Sequence, residues 1–222
     1  MTRRYRSPLR AEQALLTRRR ILDVAQSRFL ESGWAATTMK GIADEASVAP
    51  TTVYAVFGSK RALISALIDE ALTGLAEPDN LDWWADAIRH PDQGERARRL
   101  VQLICGFLPR VAPLERVVRE AAGADGEVAS LARDLLQWRQ AAVAAVVKTL
   151  AGEEGLSLSR EDVADLLFAL AGPEVYSLLV EVRGWSSRQF ETYLTTMVDR
   201  FIDRPPARNR RPGRVAAPKQ KA

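Results

Sequence analysis

The side chains best equipped for chemistry in this sequence are basic, and they crowd at its two ends. Arg3, Arg4, Arg6, Arg10, Arg18, Arg19 and Arg20 stand against Glu12 alone, so residues 1–20 carry +6. Residues 204–222 carry seven Lys or Arg and no acid, with four prolines among them. The formal net charge of the 222-residue chain is +4, which leaves residues 21–203 at −9. Guanidinium and ammonium groups gathered this way suit phosphate, and so a nucleic acid or an anionic surface.

Other reactive chemistry is scarce. One cysteine, Cys105, forms neither an intramolecular disulfide nor a thiolate metal site, and reads as belonging to a reducing compartment. It lies in the apolar stretch from Leu100 to Leu108, where a thiol behaves as a small buried hydrophobe. The single histidine, His90, sits in a turn pattern, Arg89-His90-Pro91-Asp92. Glu161, Asp162 and Asp165 follow Ser159 at the start of a helical pattern, where acid is favoured without any metal. No nucleotide-binding glycine loop and no metal-ligand spacing occurs. The expectation is therefore no enzyme, no catalytic residue, no metal and no cofactor. The longest apolar run, Ala141 to Val147, falls far short of the ~20 residues a bilayer span needs. A soluble, cytoplasmic chain without a membrane partner is expected, nucleoid-associated when bound to DNA.

The elements that must position the basic groups are helices. Ile21, Ala25 and Phe29 recur at i, i+4 and i+8, as do Leu63, Leu67 and Ala71. Val128, Leu131, Leu135, Trp138, Ala142 and Val146 form one long stripe, and Phe190, Leu194, Met197 and Phe201 another. Breakers divide the chain at Gly33, Gly58, Pro78-Asp79-Asn80, Pro91, Pro109 to Pro113, Gly123 to Gly126 and Gly152 to Gly155. Gly172-Pro173 predicts a kink inside a helix over 159–182. The fold class is all-α with about nine helices. The expected domains are a basic flexible arm over 1–16, a three-helix domain over 17–62, a larger helical domain over 63–203, and a basic disordered tail over 204–222.

The informative segment is Thr37 to Lys60. Thr38 predicts an N-cap for a short helix with Ile42 and Ala46 on one face. Ser47-Val48 makes a tight turn, and Pro50 opens a second short helix at the position that tolerates its missing N–H. Val53 and Phe57 face inward, leaving Thr51, Thr52, Tyr54 and Ala55 outward. Two short helices, a tight turn and a basic approach describe a helix-turn-helix.

Residues 17–60 resemble the DNA-binding region of the TetR family of transcriptional regulators. Arg20-Ile21-Leu22-Asp23-Val24-Ala25, Phe29, Gly33, Thr37-Thr38, Ile42-Ala43, Val48, Thr52-Val53-Tyr54, Phe57, Ser59-Lys60 and Leu63 agree in order and spacing. Pro173-Glu174-Val175-Tyr176 and Arg183-Gly184-Trp185-Ser186 are similar to the last two helices of one branch. The sequence departs from the common pattern at Ser47, Ala49 and Gly58, where the family often has Gly, Ser and Pro. The resemblance implies base reading by Pro50, Thr51, Thr52 and Ala55, and phosphate contacts by Tyr54 and Lys60, with Thr38 and Lys40 beside them. The reading surface lacks Arg, Asn and Gln, so it suits thymine methyls rather than bidentate pairing with purines. The resemblance further implies a homodimer on a palindromic operator, and a pocket for a small, often apolar effector. Trp83, Trp84, Phe107, Trp138, Phe168 and Tyr176 are candidates to line that pocket, with Gln137 and Arg139 as polar partners. Val175, Leu179, Val182, Phe190, Tyr193, Leu194 and Met197 are candidates for the dimer interface. A ligand-released repressor is the reading that follows. A ligand-independent activator or architectural factor, an enzyme using an aromatic-rich cavity, and a membrane-surface helical protein are the alternatives.

Overall fold

Helix signals and helix breakers account for nearly all of the described backbone. A computed structural model of the chain describes residues 8–73, 89–151 and 155–202. The candidates Trp83 and Trp84, the turn at residues 78–80, the first seven residues and the basic tail lie outside the described residues.

Four helices build the N-terminal part: α1 (Pro8–Ala36), α2 (Met39–Glu45), α3 (Pro50–Phe57) and α4 (Lys60–Thr73). Five follow: α5 (Gln93–Ala121), α6 (Gly126–Ala151), α7 (Arg160–Leu170), α8 (Pro173–Val182) and α9 (Ser187–Phe201). Gly33 interrupts α1 with φ 73°, as its place in the sequence predicts. At the other end, α1 reaches back to Pro8, so residues 8–16 are helical rather than a flexible arm.

Two apolar cores share α5. The first joins Ile21, Ala25 and Phe29 of α1 to Ile42, Val53, Phe57, Leu63 and Ile68, and to Leu114 and Val118 of α5. The second joins Leu100 and Leu108 of α5 to Val147 and Leu150 of α6, Val163 and Leu167 of α7, Tyr176 of α8, and Phe190 and Leu194 of α9. Phe107 packs against both.

Pro109 and Pro113 do not mark a loop: both lie inside α5. Each removes one helix hydrogen bond and costs about 3 kcal/mol in a free helix. Leu108, Val111 and Leu114 are fully buried around them, and burial at ~1.5–3 kcal/mol per large apolar side chain outweighs the breakers. The break at Gly172-Pro173 forms as predicted, bending α7 against α8 by 41°. A Cβ at Gly172 would come within 2.7 Å of Glu174 Oε2, 3.1 Å of Arg139 Nη1 and 3.2 Å of Phe168 O, so any larger residue there displaces the Glu174 carboxylate. From Ser177 to Val182, α8 continues as a π-helix. A short antiparallel bridge, Leu156 to Ile202, ties the approach to α7 onto the end of α9. Among the described residues no single helix is long and apolar enough to cross a membrane.

Candidate nucleic-acid interface

The interface is built from the cap, the turn and the stop of two short helices. Thr38 Oγ1 accepts from Gly41 N at 3.0 Å, which fixes the start of α2. Met39, Ile42 and Ala43 are buried beneath it. Ser47 turns the chain with φ 55°, in the region where glycine is favoured, and Val48 N donates to Ala43 O at 3.0 Å. At α3 the Ala49 side chain offers no cap, leaving Pro50 and Thr52 N→Ala49 O (2.8 Å) to set the first turn. Gly58 ends α3 with φ 77°, a conformation closed to proline. Where the family often has Pro, this chain therefore stops the helix by a different device.

Val53 and Phe57 fasten α3 to the core. Pro50, Thr51, Tyr54 and Ala55 are exposed and Thr52 half-exposed, so the structure gathers these candidates on one free face. Lys40 is exposed on α2. Thr38 is also exposed; its oxygen is engaged by the cap, and its O–H proton remains available to a phosphate. Arg18 lies with its guanidinium 4.7 Å from the Phe57 ring centroid, which brings the arginine cluster of α1 to the end of α3. Arg28 clamps α1 to α2 through Glu45 at 2.7 Å.

Lys60, expected at a phosphate, is held inside the head by two of its three N–H donors. Its Nζ donates to Trp34 O at 2.8 Å and Thr37 O at 3.0 Å, and sits 4.1 Å from the Trp34 ring centroid. The end of α1 leaves carbonyls without helical partners, and Lys60 satisfies two of them. Burial pushes its pKa down, with the Asp125 charge partly opposing that. Trp34 and Asp125 are functional candidates that sequence reasoning missed. Trp34 stacks on Phe29 and donates from Nε1 to Asp125 Oδ2 at 3.0 Å. That bond, with capping bonds from Val128 N and Glu127 N, holds the Asp125 carboxyl below its ordinary range. Asp125 thereby caps α6 and ties it to the base of the helix-turn-helix; Arg61 adds a second tie to Asp134 of α6 at 2.9 Å. The available signal was Asp125-Gly126 ahead of an apolar stripe, an N-cap pattern.

Among the described residues, the aromatic candidates do not enclose one cavity. Phe107 bridges the two cores, Tyr176 packs edge-on against Phe190 at 5.1 Å, and Trp138 is 53% exposed. An open groove of about 550 Å³ runs between α6 and α7, lined by Leu136, Val143, Val147, Ala164 and Phe168 with Gln137 and Gln140. Of the aromatic candidates among the described residues, only Phe168 lines it. Arg139 is not free to meet a ligand: it holds Glu174 in two hydrogen bonds (2.8 and 3.2 Å) and stacks on Phe168 at 4.5 Å. Burial opposes the charge on Glu174, but those bonds and the nearby Arg139 and Arg119 charges outweigh it and hold its carboxyl low. Burial raises the neighbouring Glu115, against the pull of Arg139.

Among the dimer candidates, Phe190 and Leu194 are corrected: both are fully buried in the second core and reach no partner. The i, i+4 spacing that marked them is the spacing of an inward face. Val182 (72% exposed) and Leu178 (55%) stand free, flanked by the half-buried Val175, Leu179, Tyr193 and Met197.

A three-helix head with an exposed third helix, joined to a helical body, has the arrangement of a helix-turn-helix DNA-binding module. Residues 21–67 match the family model described as "Bacterial regulatory proteins, tetR family". It is 35% identical over 96 residues to the HTH-type transcriptional regulator UidR of Escherichia coli (strain K12), a match covering 38% of this chain and 49% of that protein. It is 39% identical over 54 residues to the HTH-type transcriptional regulator YvkB of Bacillus subtilis (strain 168), covering 24% and 29%. The chain thus spans about half the length of the first of these relatives. Two solved structures share the fold. NalD, the secondary repressor of the MexAB-OprM multidrug efflux pump in Pseudomonas aeruginosa, aligns with TM-score 0.61 and 18% identity, over 86% of this chain and 98% of that one. A TetR transcription regulator from Haloarcula marismortui aligns with TM-score 0.61 and 18% identity, over 84% and 96%.

Proposed function

We propose that the chain is a homodimeric repressor that leaves a palindromic operator when a small, largely apolar ligand binds residues 63–203. The observation that carries this reading is the free face of α3, where Pro50, Thr51, Thr52, Tyr54 and Ala55 stand clear of a fully packed helix-turn-helix. Threonine, proline and alanine contacts suit thymine methyls, and Tyr54, Lys40 and the α1 arginines suit phosphates. The exposed Leu178 and Val182 offer a two-fold surface that sets two reading helices about 34 Å apart, or a multiple of that distance. Helix α4 connects head and body, and the Lys60–Trp34–Asp125 and Arg61–Asp134 contacts support transmission between them. A ligand preferring the dimer with splayed heads lowers operator affinity by its differential binding to the two states.

The test is operator binding by fluorescence anisotropy across a panel of small apolar metabolites, using a duplex selected by the protein itself. Release by at least one ligand, with a tenfold or greater loss of affinity, is the expected result. Tight binding that no ligand alters would instead favour a ligand-independent regulator.

A further inference from the structure

Apolar packing joins the head to the body, and directional bonds decide at what angle. Leu114 and Val118 of α5 and Val128 and Leu131 of α6 share one core with the helices of the head. Burial of that kind is non-directional and does not by itself fix an angle. Two polar ties cross the same boundary, Trp34 to Asp125 and Arg61 to Asp134, and they end at the start of α6 and on α6. Arg61 and Asp134 are exposed to solvent, where an ion pair holds little. The Trp34 tie is different. Trp34 is buried, so its indole N–H needs an acceptor, and Asp125 Oδ2 is that acceptor at 3.0 Å.

Each member of this tie holds other elements in place. Gly33 breaks α1 with φ 73°, and directly after the break Trp34 stacks on Phe29 of the same helix. The Trp34 carbonyl accepts from Lys60, the first residue of α4, and Lys60 also takes Thr37 O, one residue before the Thr38 cap of α2. On the other side, Asp125 divides its carboxylate. Oδ2 takes the indole, while Oδ1 takes Glu127 N at 3.0 Å and Val128 N at 3.2 Å at the start of α6. A rotation of α6 therefore pulls on the residue through which the chain enters α2 and then α3. We infer that Trp34 and Asp125 are positioning residues, whose single hydrogen bond sets the angle of the head on the body and so the spacing of half-sites that two heads read together. The spacing rests on the DNA-binding dimer proposed above; the angle within one chain stands without it.

The test measures the angle first, on the full chain without DNA. Spin labels are placed on α3 and α6 through Ala55→Cys and Gln140→Cys in a Cys105→Ala background. Labelled chain is diluted into unlabelled chain, so that only distances within one chain are read. Trp34→Phe keeps a ring against Phe29 and loses the N–H. Asp125→Asn keeps a cap of similar quality and loses the second acceptor oxygen. Each should shift or broaden the distance distribution, and the double variant should do so no more than either alone, because both remove one bond. Distributions as narrow as that of wild type in both variants, or effects that add in the double variant, would overturn the tie. Should Trp34→Phe fail to fold, Asp125→Asn decides alone. Unlabelled protein is then titrated with duplexes whose half-sites are moved by one base pair, which turns one half-site by roughly 34° about the duplex relative to the other. Wild type should lose about tenfold in affinity and the variants less than about threefold; a merely structural loss lowers Tm and leaves that preference intact. Broadened distances with an unaltered spacing preference would overturn the link to the operator. A wild type that prefers no duplex would refute the DNA-binding reading, and the distances would still judge the tie.

Discussion

Replacing Lys60 with methionine separates a phosphate contact from a structural clasp. In the structure, the ammonium donates to Trp34 O and Thr37 O and lies over the Trp34 ring. Hydrogen bonds from a charged donor are worth ~1.5–3 kcal/mol each, and a cation over an indole ~0.5–2 kcal/mol. These terms are not additive, and burial already weighs against the ammonium, as its lowered pKa records. Methionine keeps the stem over the indole and removes that desolvation. It also leaves two carbonyls at the end of α1 without their donor. The net loss should be about 2–3 kcal/mol. For a chain of this length each kcal/mol moves Tm by ~2–4 °C, so Lys60→Met should melt ~4–12 °C below wild type. The same protein is then titrated with operator across a salt series. One phosphate contact per subunit contributes ~0.9 to the slope of log K against log salt, or about 2 for a dimer. The clasp predicts an unchanged slope. An unchanged Tm with a slope reduced by about 2 would refute the reasoning and restore Lys60 to the phosphates.

Other consequences are as direct. Gly58→Ala places a Cβ at φ 77° and should cost at least ~1 kcal/mol in thermal melting; equal melting would show that the stop of α3 does not depend on that conformation. Leu178→Lys combined with Val182→Lys should give a folded monomer by light scattering, whereas Phe190→Ala should lose ~3–5 kcal/mol of stability through its core position; a double variant that stays dimeric contradicts the proposed surface. Burial, helped by the Glu191 charge, pushes the Cys105 thiol up to about 12. Since the thiolate is the nucleophile, alkylation at pH 8 should run about 10³-fold slower than for a free thiol and recover in denaturant; rapid labelling of the folded protein would show the thiol to be accessible and acidic.

What was legible in the sequence was what short-range signals control. Thr38 as cap, Pro50 as first helical residue, Gly33 as interruption and Gly172-Pro173 as bend all act on neighbouring backbone, and all occur where they read. The outward set of α3 was legible for the same reason, since Val53 and Phe57 fix the inward face. Long-range terms defeated the reading elsewhere. Pro109 and Pro113 are local breakers overruled by the burial of Leu108, Val111 and Leu114 around them. Phe190 and Leu194 lie on an apolar stripe whose partner proved to be the chain's own core. That Lys60 also clasps the end of α1, 23 to 26 residues upstream, is shown only by the return of that helix beside it. The Trp34–Asp125 bond spans 91 residues, a separation at which spacing carries no information. The −9 on residues 21–203 was legible, and under the proposed function it leaves contact with DNA to the exposed α3 face and the arginines of α1.

The central claim is that the free face of α3 reads DNA within a two-fold dimer. Its most direct test is selection of duplexes from a random pool by the full chain, repeated with Thr51→Ala and Thr52→Ala. The account predicts an enriched inverted repeat with half-site centres about 10 base pairs, or a multiple, apart. It also predicts that each threonine variant relaxes base preference at a fixed position in both half-sites. An enriched sequence without two-fold symmetry, or a preference that neither variant alters, would contradict it.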